Sequence, residues 1–168
     1  IISDMCILED VAKLTVDSDV CSSDLIISDM CILEDVAKLT VDSVNKYDVI
    51  VIDSVATLVT KSEAEGETGD QFVGLKARLM GQWMRKLIGP LGKSRCAVVF
   101  INQIRESMSM YVPKFTPGGK ALPYAASLRL ELSTNKADRL SDGKGHWVNV
   151  EITKSRVCPP YQKTRFKL

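Results

Sequence analysis

The side chains best placed for chemistry sit at the ends of apolar runs. Asp53 follows Val49-Ile50-Val51-Ile52, and Asn102-Gln103-Ile104-Arg105 follows Ala97-Val98-Val99-Phe100-Ile101. Open α/β sheets bind ligands beyond the carboxyl ends of their strands, which is where an acid and an amide pair would then lie. In phosphate-binding ATPases an Asp at that point holds the Mg2+ that bridges nucleotide phosphates. Strands ending in Asp are common, however, and a cap or loop role fits Asp53 as well. Asn102 and Gln103 have the donors and acceptors to sense a phosphate on one side and position a loop on the other. Taken alone, simple strand termination accounts for that pair better. His146 is the sole histidine and has no acidic or Ser partner at triad spacing, so an exposed hairpin position is expected for it.

The elements that must position these groups read as an α/β sheet. Ile32, Leu33, Val36, Leu39 and Val41 give residues 31–43 a helical pattern. Four consecutive β-branched residues, Val49 to Ile52, read as a buried parallel strand. Residues 61–71 are polar with two glycines, and a loop is expected there. Residues 72–88 return to helical spacing, with Leu75, Leu79, Trp83 and Leu87 on one stripe and Gly89-Pro90 as the stop. Trp83 is therefore assigned to the core rather than to a base-stacking platform. A second buried strand covers Ala97–Asn102.

Residues 105–120 mix Met, Ser, Pro, Lys and Gly without a period, a loop length uncommon unless functional. Met108 and Met110 in it have the shape to wedge between bases, although an ordinary loop explains them almost as well. Residues 127–132, 147–153 and 161–168 alternate in the manner of half-buried strands. Two buried strands joined by a helix, then a run of strands, predict a sheet extended at one edge.

Composition is that of one ordinary globular domain of 168 residues, and no apolar run approaches a membrane span. One irregularity alters the charge. Residues 1–18, IISDMCILEDVAKLTVDS, recur unchanged as residues 26–43. Natural repeats drift, because each copy packs against different neighbours. The joining string DVCSSDL resembles the translated end of a common sequencing adapter. Residues 1–25 are accordingly expected to be an assembly artefact duplicating 26–43, with the genuine chain running over 26–168; the absence of an initiator Met fits a piece of something longer. Without those residues the balance is 21 basic against 15 acidic side chains, rather than 22 against 21. That excess permits an anionic partner without demanding one. The cysteines left, Cys31, Cys96 and Cys158, have no metal-ligand spacing and form no disulfide framework, which fits a reducing, cytoplasmic setting.

Read in order, VIVIDSVATL, KSEAEGETGDQFVGLKARLMGQWMRKL, VVFINQIR and PGGKALPYAASLRLEL closely resemble the core of the bacterial RecA recombinases, to which phage UvsX-type recombinases are related. The resemblance runs from about Val49 to Leu168. FINQIR together with EGETGD and GGKAL makes it specific; no single piece does. It implies part of a RecA-type P-loop ATPase core: a mainly parallel sheet with helices on both faces and added antiparallel edge strands.

The resemblance also implies roles. Asp53 matches the Walker B carboxylate, holding Mg2+ through ATP, with Ser54 beside it near the nucleotide. Gln103 matches the glutamine that links the γ-phosphate to the DNA-binding loop following it. Residues 65–74 and 104–119 match the first and second DNA-binding loops. Arg78 and Arg85 match basic helix positions near DNA, and their spacing of seven puts them on one face. Arg105, Gly118 and Gly119 belong to the second loop, where glycines let backbone N–H groups approach phosphates. Lys120 lies beside it, where the family often has Asn. Lys154-Ser155-Arg156 occupies the place of two lysines that reach ATP bound by the neighbouring protomer; Arg156 keeps the charge and adds a fork. ATP and Mg2+ are the implied cofactors. Single- and double-stranded DNA and further copies in a helical filament are the implied partners, with no membrane.

The departures bound this reading. No G-x-x-x-x-G-K-[ST] occurs, and the family's upstream catalytic glutamate, adenine-contacting segments and C-terminal domain lie outside the chain. The expectation is a parent that hydrolyses ATP on DNA and a chain that does not. A hexameric RecA-fold helicase is the second reading, and a truncated DNA-binding piece or misassembly product without enzymatic activity is the third. The two-loop arrangement around GETGD and FINQIR favours the recombinase.

Overall fold

The computed structural model describes residues 28, 30–67, 74–106, 114–134 and 145–168. The expected artefact over 1–25 lies outside them, as do residues 68–73 of the first expected DNA-binding loop and 107–113 of the second, with Met108 and Met110. The chain divides into two compact units, one ending at Gly119 and the other beginning at Lys120.

The first unit starts with α1, Leu33–Ser43. Glu34 and Asp35 in its first turn complement the positive end of the helix dipole. Its N-terminus is fixed by backbone rather than by a side-chain cap: Ile32 bridges to Val59, and the Leu33 N–H donates to the Val59 carbonyl at 2.8 Å. The buried stripe is Leu33, Val36, Thr40 and Ser43. Leu39, expected on that stripe, is 46% exposed. Spacings of three and four from Leu33 pass through Thr40 instead, whose hydroxyl donates back to the Val36 carbonyl at 2.7 Å and so tolerates burial.

A short helix α2, Lys61–Glu65, stands where a loop was expected. Thr60 and Glu63 close a capping box, the Thr60 hydroxyl accepting the Glu63 N–H and the Glu63 carboxylate accepting the Thr60 N–H. The Glu34 carboxylate takes the Lys61 N–H at 3.1 Å, and Asp35 pairs with the Lys61 ammonium at 2.7 Å. These contacts anchor the start of α2 to the start of α1.

Strands β1 (Val49–Ile52) and β2 (Ala97–Phe100) pair in parallel, from Val49 opposite Ala97 to Ile52 opposite Phe100. The expectation of strands buried on both faces fails. Ile52 is buried, but Val49, Val51 and Val99 are exposed, so the face they share with Ala97 is open among the described residues. Alternation places Phe100 on the other face, where the Trp83 ring meets it edge-on at 5.2 Å. Among the described residues, helices therefore do not cover both faces of this strand pair. An all-apolar strand looks the same in sequence whether one face is covered or two.

Helix α3, Leu75–Leu91, supplies that cover by burying Met80, Trp83, Met84 and Leu87. It runs past the expected stop at Gly89-Pro90 and keeps Pro90 inside its last turn. Proline's φ suits a helix, although its missing N–H leaves the Lys86 carbonyl, four residues back, without its usual backbone donor. The ends of the expected 105–120 loop pair as a short antiparallel ladder, β3 (Arg105–Glu106) with β4 (Lys114–Phe115).

The second unit holds a helix not anticipated from sequence, α4 (Ala121–Ala125), and an antiparallel sheet in the order β5 (Leu128–Ser133), β6 (Trp147–Ser155), β7 (Lys163–Lys167). Among the described residues these strands hydrogen-bond only with one another, where an extension of the β1–β2 edge was expected. Val148 is buried, whereas Leu128, Leu130 and Leu132 stay exposed, so β5 is not half-buried. His146 is half-buried and closes the β6–β7 ladder by exchanging two 2.9 Å backbone bonds with Leu168, not the exposed hairpin position expected. Among the described residues no helix is long and apolar enough to cross a membrane.

Candidate functional site

Because Ile52 and Phe100 are in register, the segments after β1 and β2 leave the sheet side by side. Pairing continues one step beyond the strands. The Ile101 N–H donates to the Ile52 carbonyl at 3.0 Å, and the Val55 N–H to the Ile101 carbonyl at 2.9 Å. Asp53 is exposed at this carboxyl end, and the peptide bond to Ser54 is cis. Ser54 is buried, its carbonyl accepting the Thr57 hydroxyl at 2.9 Å.

Asn102 has a definite structural task. Its side-chain N–H donates to the Pro117 carbonyl at 2.9 Å, and its side-chain oxygen accepts the Gln103 N–H at 3.0 Å. The start of the second expected loop is thereby tied to its end, with Gln103 half-buried at the tie. Gly118 and Gly119 follow with φ of 90° and 74°, a region that favours glycine. A Cβ on Gly118 would lie 3.3 Å from Val55 Cγ1 and 3.4 Å from Met80 Cγ, and one on Gly119 only 2.8 Å from the Ala77 Cβ. These glycines thus allow a close approach between the turn, the segment after Asp53 and α3.

Of the expected basic residues in this unit, Arg78, Arg85 and Arg105 are all exposed. Sequence reasoning passed over Lys76. Its ammonium donates to the carbonyls of Ala56, at 3.1 Å, and Leu58. Burial pushes its pKa down, with Glu63 opposing and the nearby Arg105 adding to the shift. No signal marked it, since a lysine in a first helical turn is ordinarily solvated. Gly92-Lys93-Ser94, the closest approach to a phosphate-loop ending, follows the C-terminus of α3, where the Gly92 N–H is spent on Ile88. It cannot form the N-terminal helix cradle that such a loop needs.

Among the described residues no three His, Cys, Asp or Glu side chains cluster as a metal cage. An exposed carboxylate at the end of a strand is compatible with Mg2+ carried by a nucleotide, because Mg2+ keeps several waters and is typically held by one or two carboxylates plus phosphate oxygens.

In the second unit Lys120 is exposed at the start of α4. Lys154 and Arg156 alternate to one side of the end of β6 and converge on the carbonyl end of α4. The Lys154 ammonium donates to Pro123 and Tyr124 carbonyls at 2.9 and 2.8 Å, and Arg156 to Tyr124 at 3.1 Å. Partial desolvation lowers the Lys154 pKa, and the charges of Arg156 and Arg129 add to the effect. Between them the Ser155 hydroxyl oxygen accepts the N–H groups of Val157 and Cys158.

A family model described as the RecA N-terminal domain matches residues 8–168. The Protein RecA of Clostridium acetobutylicum is 47% identical over 126 residues, covering 72% of this chain and 36% of that one. The Protein RecA of Symbiobacterium thermophilum is 48% identical over 126 residues, 72% of this chain and 35% of its own, and that of Rhodopirellula baltica 49% over 129 residues, 74% and 34%. The chain thus spans about a third of the length of these curated relatives.

Proposed function

Since the chain belongs to the RecA N-terminal domain family, we propose that it is part of an ATP-dependent recombination and repair protein of the cytoplasm, which forms filaments on single-stranded DNA and exchanges strands with a homologous duplex. The observation that carries this reading is the junction around the Gly118–Gly119 turn. That turn touches Val55, two residues after Asp53, and Ala77, on the helix that bears Arg78 and Arg85. In this reading, one tightly packed contact joins the nucleotide-facing segment to the DNA-facing helix.

In this reading Asp53 holds Mg2+ through ATP, with Ser54 alongside. Bound there, Mg2+ would offset the negative charge of the phosphates. Gln103 lies between the γ-phosphate and the second DNA-binding loop. Arg78, Arg85, Arg105 and Lys120 contact the phosphate backbone, and Gly118 and Gly119 let the loop approach it, since phosphate contacts dominate single-strand affinity. Lys154 and Arg156 reach the ATP of a neighbouring copy, where cations stabilise charge developing on the transferred phosphoryl group.

The 168 residues contain no phosphate loop, so they turn over no ATP by themselves. The test is DNA-stimulated ATP hydrolysis by the full-length protein, with electron microscopy on single-stranded DNA. Helical filaments and stimulated turnover support the reading. Closed rings would favour a hexameric helicase, and turnover by the 168 residues alone would refute the division of labour.

A further inference from the structure

Of the four basic residues on α3, Lys76, Arg78, Arg85 and Lys86, only Lys76 is not exposed. Its position is doubly unfavourable for a cation. It lies in the first turn, at the positive end of the helix dipole, and it is partly withdrawn from water. What compensates is a pair of carbonyl acceptors, Ala56 and Leu58, both in the segment that leaves Asp53. An ammonium with two fixed acceptors acts as a clamp, because moving either carbonyl strains a charge-assisted hydrogen bond.

The clamp lies between two other fixed contacts. On one side Val55 is bonded to Ile101 and packs at the Gly118 position. On the other, Ala77 abuts Gly119 and Arg78 reaches solvent. A displacement of residues 54–58 is therefore passed through Lys76 to the first turn of α3, where Arg78 begins the exposed basic face.

We propose that Lys76 is a positioning residue that couples the segment after Asp53 to the DNA-facing end of α3, so that a nucleotide at Asp53 sets the grip of Arg78 and the Gly118–Gly119 turn on a phosphate backbone. The proposal rests on the reading of Asp53 as nucleotide-facing and Arg78 as DNA-facing.

The experiment measures single-stranded DNA affinity of the full-length protein with and without a slowly hydrolysed ATP analogue. In the unsubstituted protein the analogue strengthens binding. In Lys76→Met that enhancement falls by about fivefold or more, the usual scale of a coupling between sites, while nucleotide-free affinity is retained. Lys76→Arg, which still reaches both carbonyls, restores it. Enhancement unchanged in Lys76→Met overturns the proposal, as do two affinities falling together, which would make Lys76 a direct phosphate contact. Should Lys76→Met fail to fold, the same ratio is read in Lys76→Gln, which keeps a donor without the charge. A protein whose unsubstituted form binds DNA independently of nucleotide would overturn the functional reading itself.

Discussion

The side-chain amide of Asn102 reaches the carbonyl of Pro117 at 2.9 Å across fifteen residues of chain, and the same side chain accepts the Gln103 N–H. One residue thus joins the end of a parallel strand to the glycine turn. Asn102→Ala removes both bonds and leaves a partly buried carbonyl without this donor, a loss of about 1–2 kcal/mol by urea unfolding. Asn102→Asp keeps the acceptor for the Gln103 N–H but cannot donate to Pro117 and sets a carboxylate oxygen against its carbonyl, so it too should destabilise. An aspartate variant as stable as the parent would remove the amide from this role.

The Gly118–Gly119 turn predicts an order of severity. Gly119→Ala places a methyl 2.8 Å from the Ala77 Cβ at φ 74°, whereas Gly118→Ala, at φ 90°, meets Val55 Cγ1 at a tight but separated 3.3 Å. Left-handed backbone strain and overpacking together should cost Gly119→Ala about 2–4 kcal/mol, more than Gly118→Ala. Ala77→Gly in the Gly119→Ala background should recover the overpacking share and leave the strain. No recovery in that double variant would mean the contact is not the cause.

Legibility in the sequence followed local physics. Strands β1 and β2 were readable because runs of β-branched residues have few alternatives, and α3 because its stripe through Trp83 and Leu87 is long. The open face of Val49 and Val51 was not readable, since burial depends on what packs above a strand and not on the strand. Helix α2 was hidden by its polar composition, although Thr60-Lys61-Ser62-Glu63 spelled out its cap. Asp53 and Gln103 were singled out as candidates from position and motif. Lys76 was not, because its partners are backbone carbonyls some twenty residues upstream, and a carbonyl leaves no trace in a residue pattern.

The Lys76 ammonium also gives a pH signature. Burial holds its folded pKa below the ordinary 10.5. Between the folded value and 10.5 the unfolded chain binds more protons, so this residue makes stability rise with pH there. Unfolding free energies measured across that alkaline window should show a shallower rise, or a steeper fall, in Lys76→Met than in the parent. Parallel curves would place the ammonium in water.

Cysteine reactivity should separate two of the thiols. Cys31 is exposed, whereas Cys96 is half-buried and its thiol is pushed up by desolvation and by the charge of Asp48. The thiolate is the reactive form, so iodoacetamide near neutral pH should label the Cys31 peptide before the Cys96 peptide, as read by mass spectrometry. Faster labelling of Cys96 would contradict its buried setting.

Trp83 is 2% exposed, packs edge-on against Phe100, and buries its indole N–H with no hydrogen-bond partner among the described residues. Two effects therefore oppose each other in Trp83→Phe. The smaller ring gives up part of the apolar contact over β2, and the removed N–H no longer has to be buried unpaired, a burden of about 1–3 kcal/mol in a protein interior. The net change should stay within about 1 kcal/mol. Trp83→Ala loses the contact outright and opens a cavity under the β1–β2 pair, which should cost about 3–5 kcal/mol. Thermal or urea unfolding of the two variants checks the contrast. A Phe variant as damaged as the Ala variant would overturn the view that losing the buried N–H offsets part of the lost ring contact.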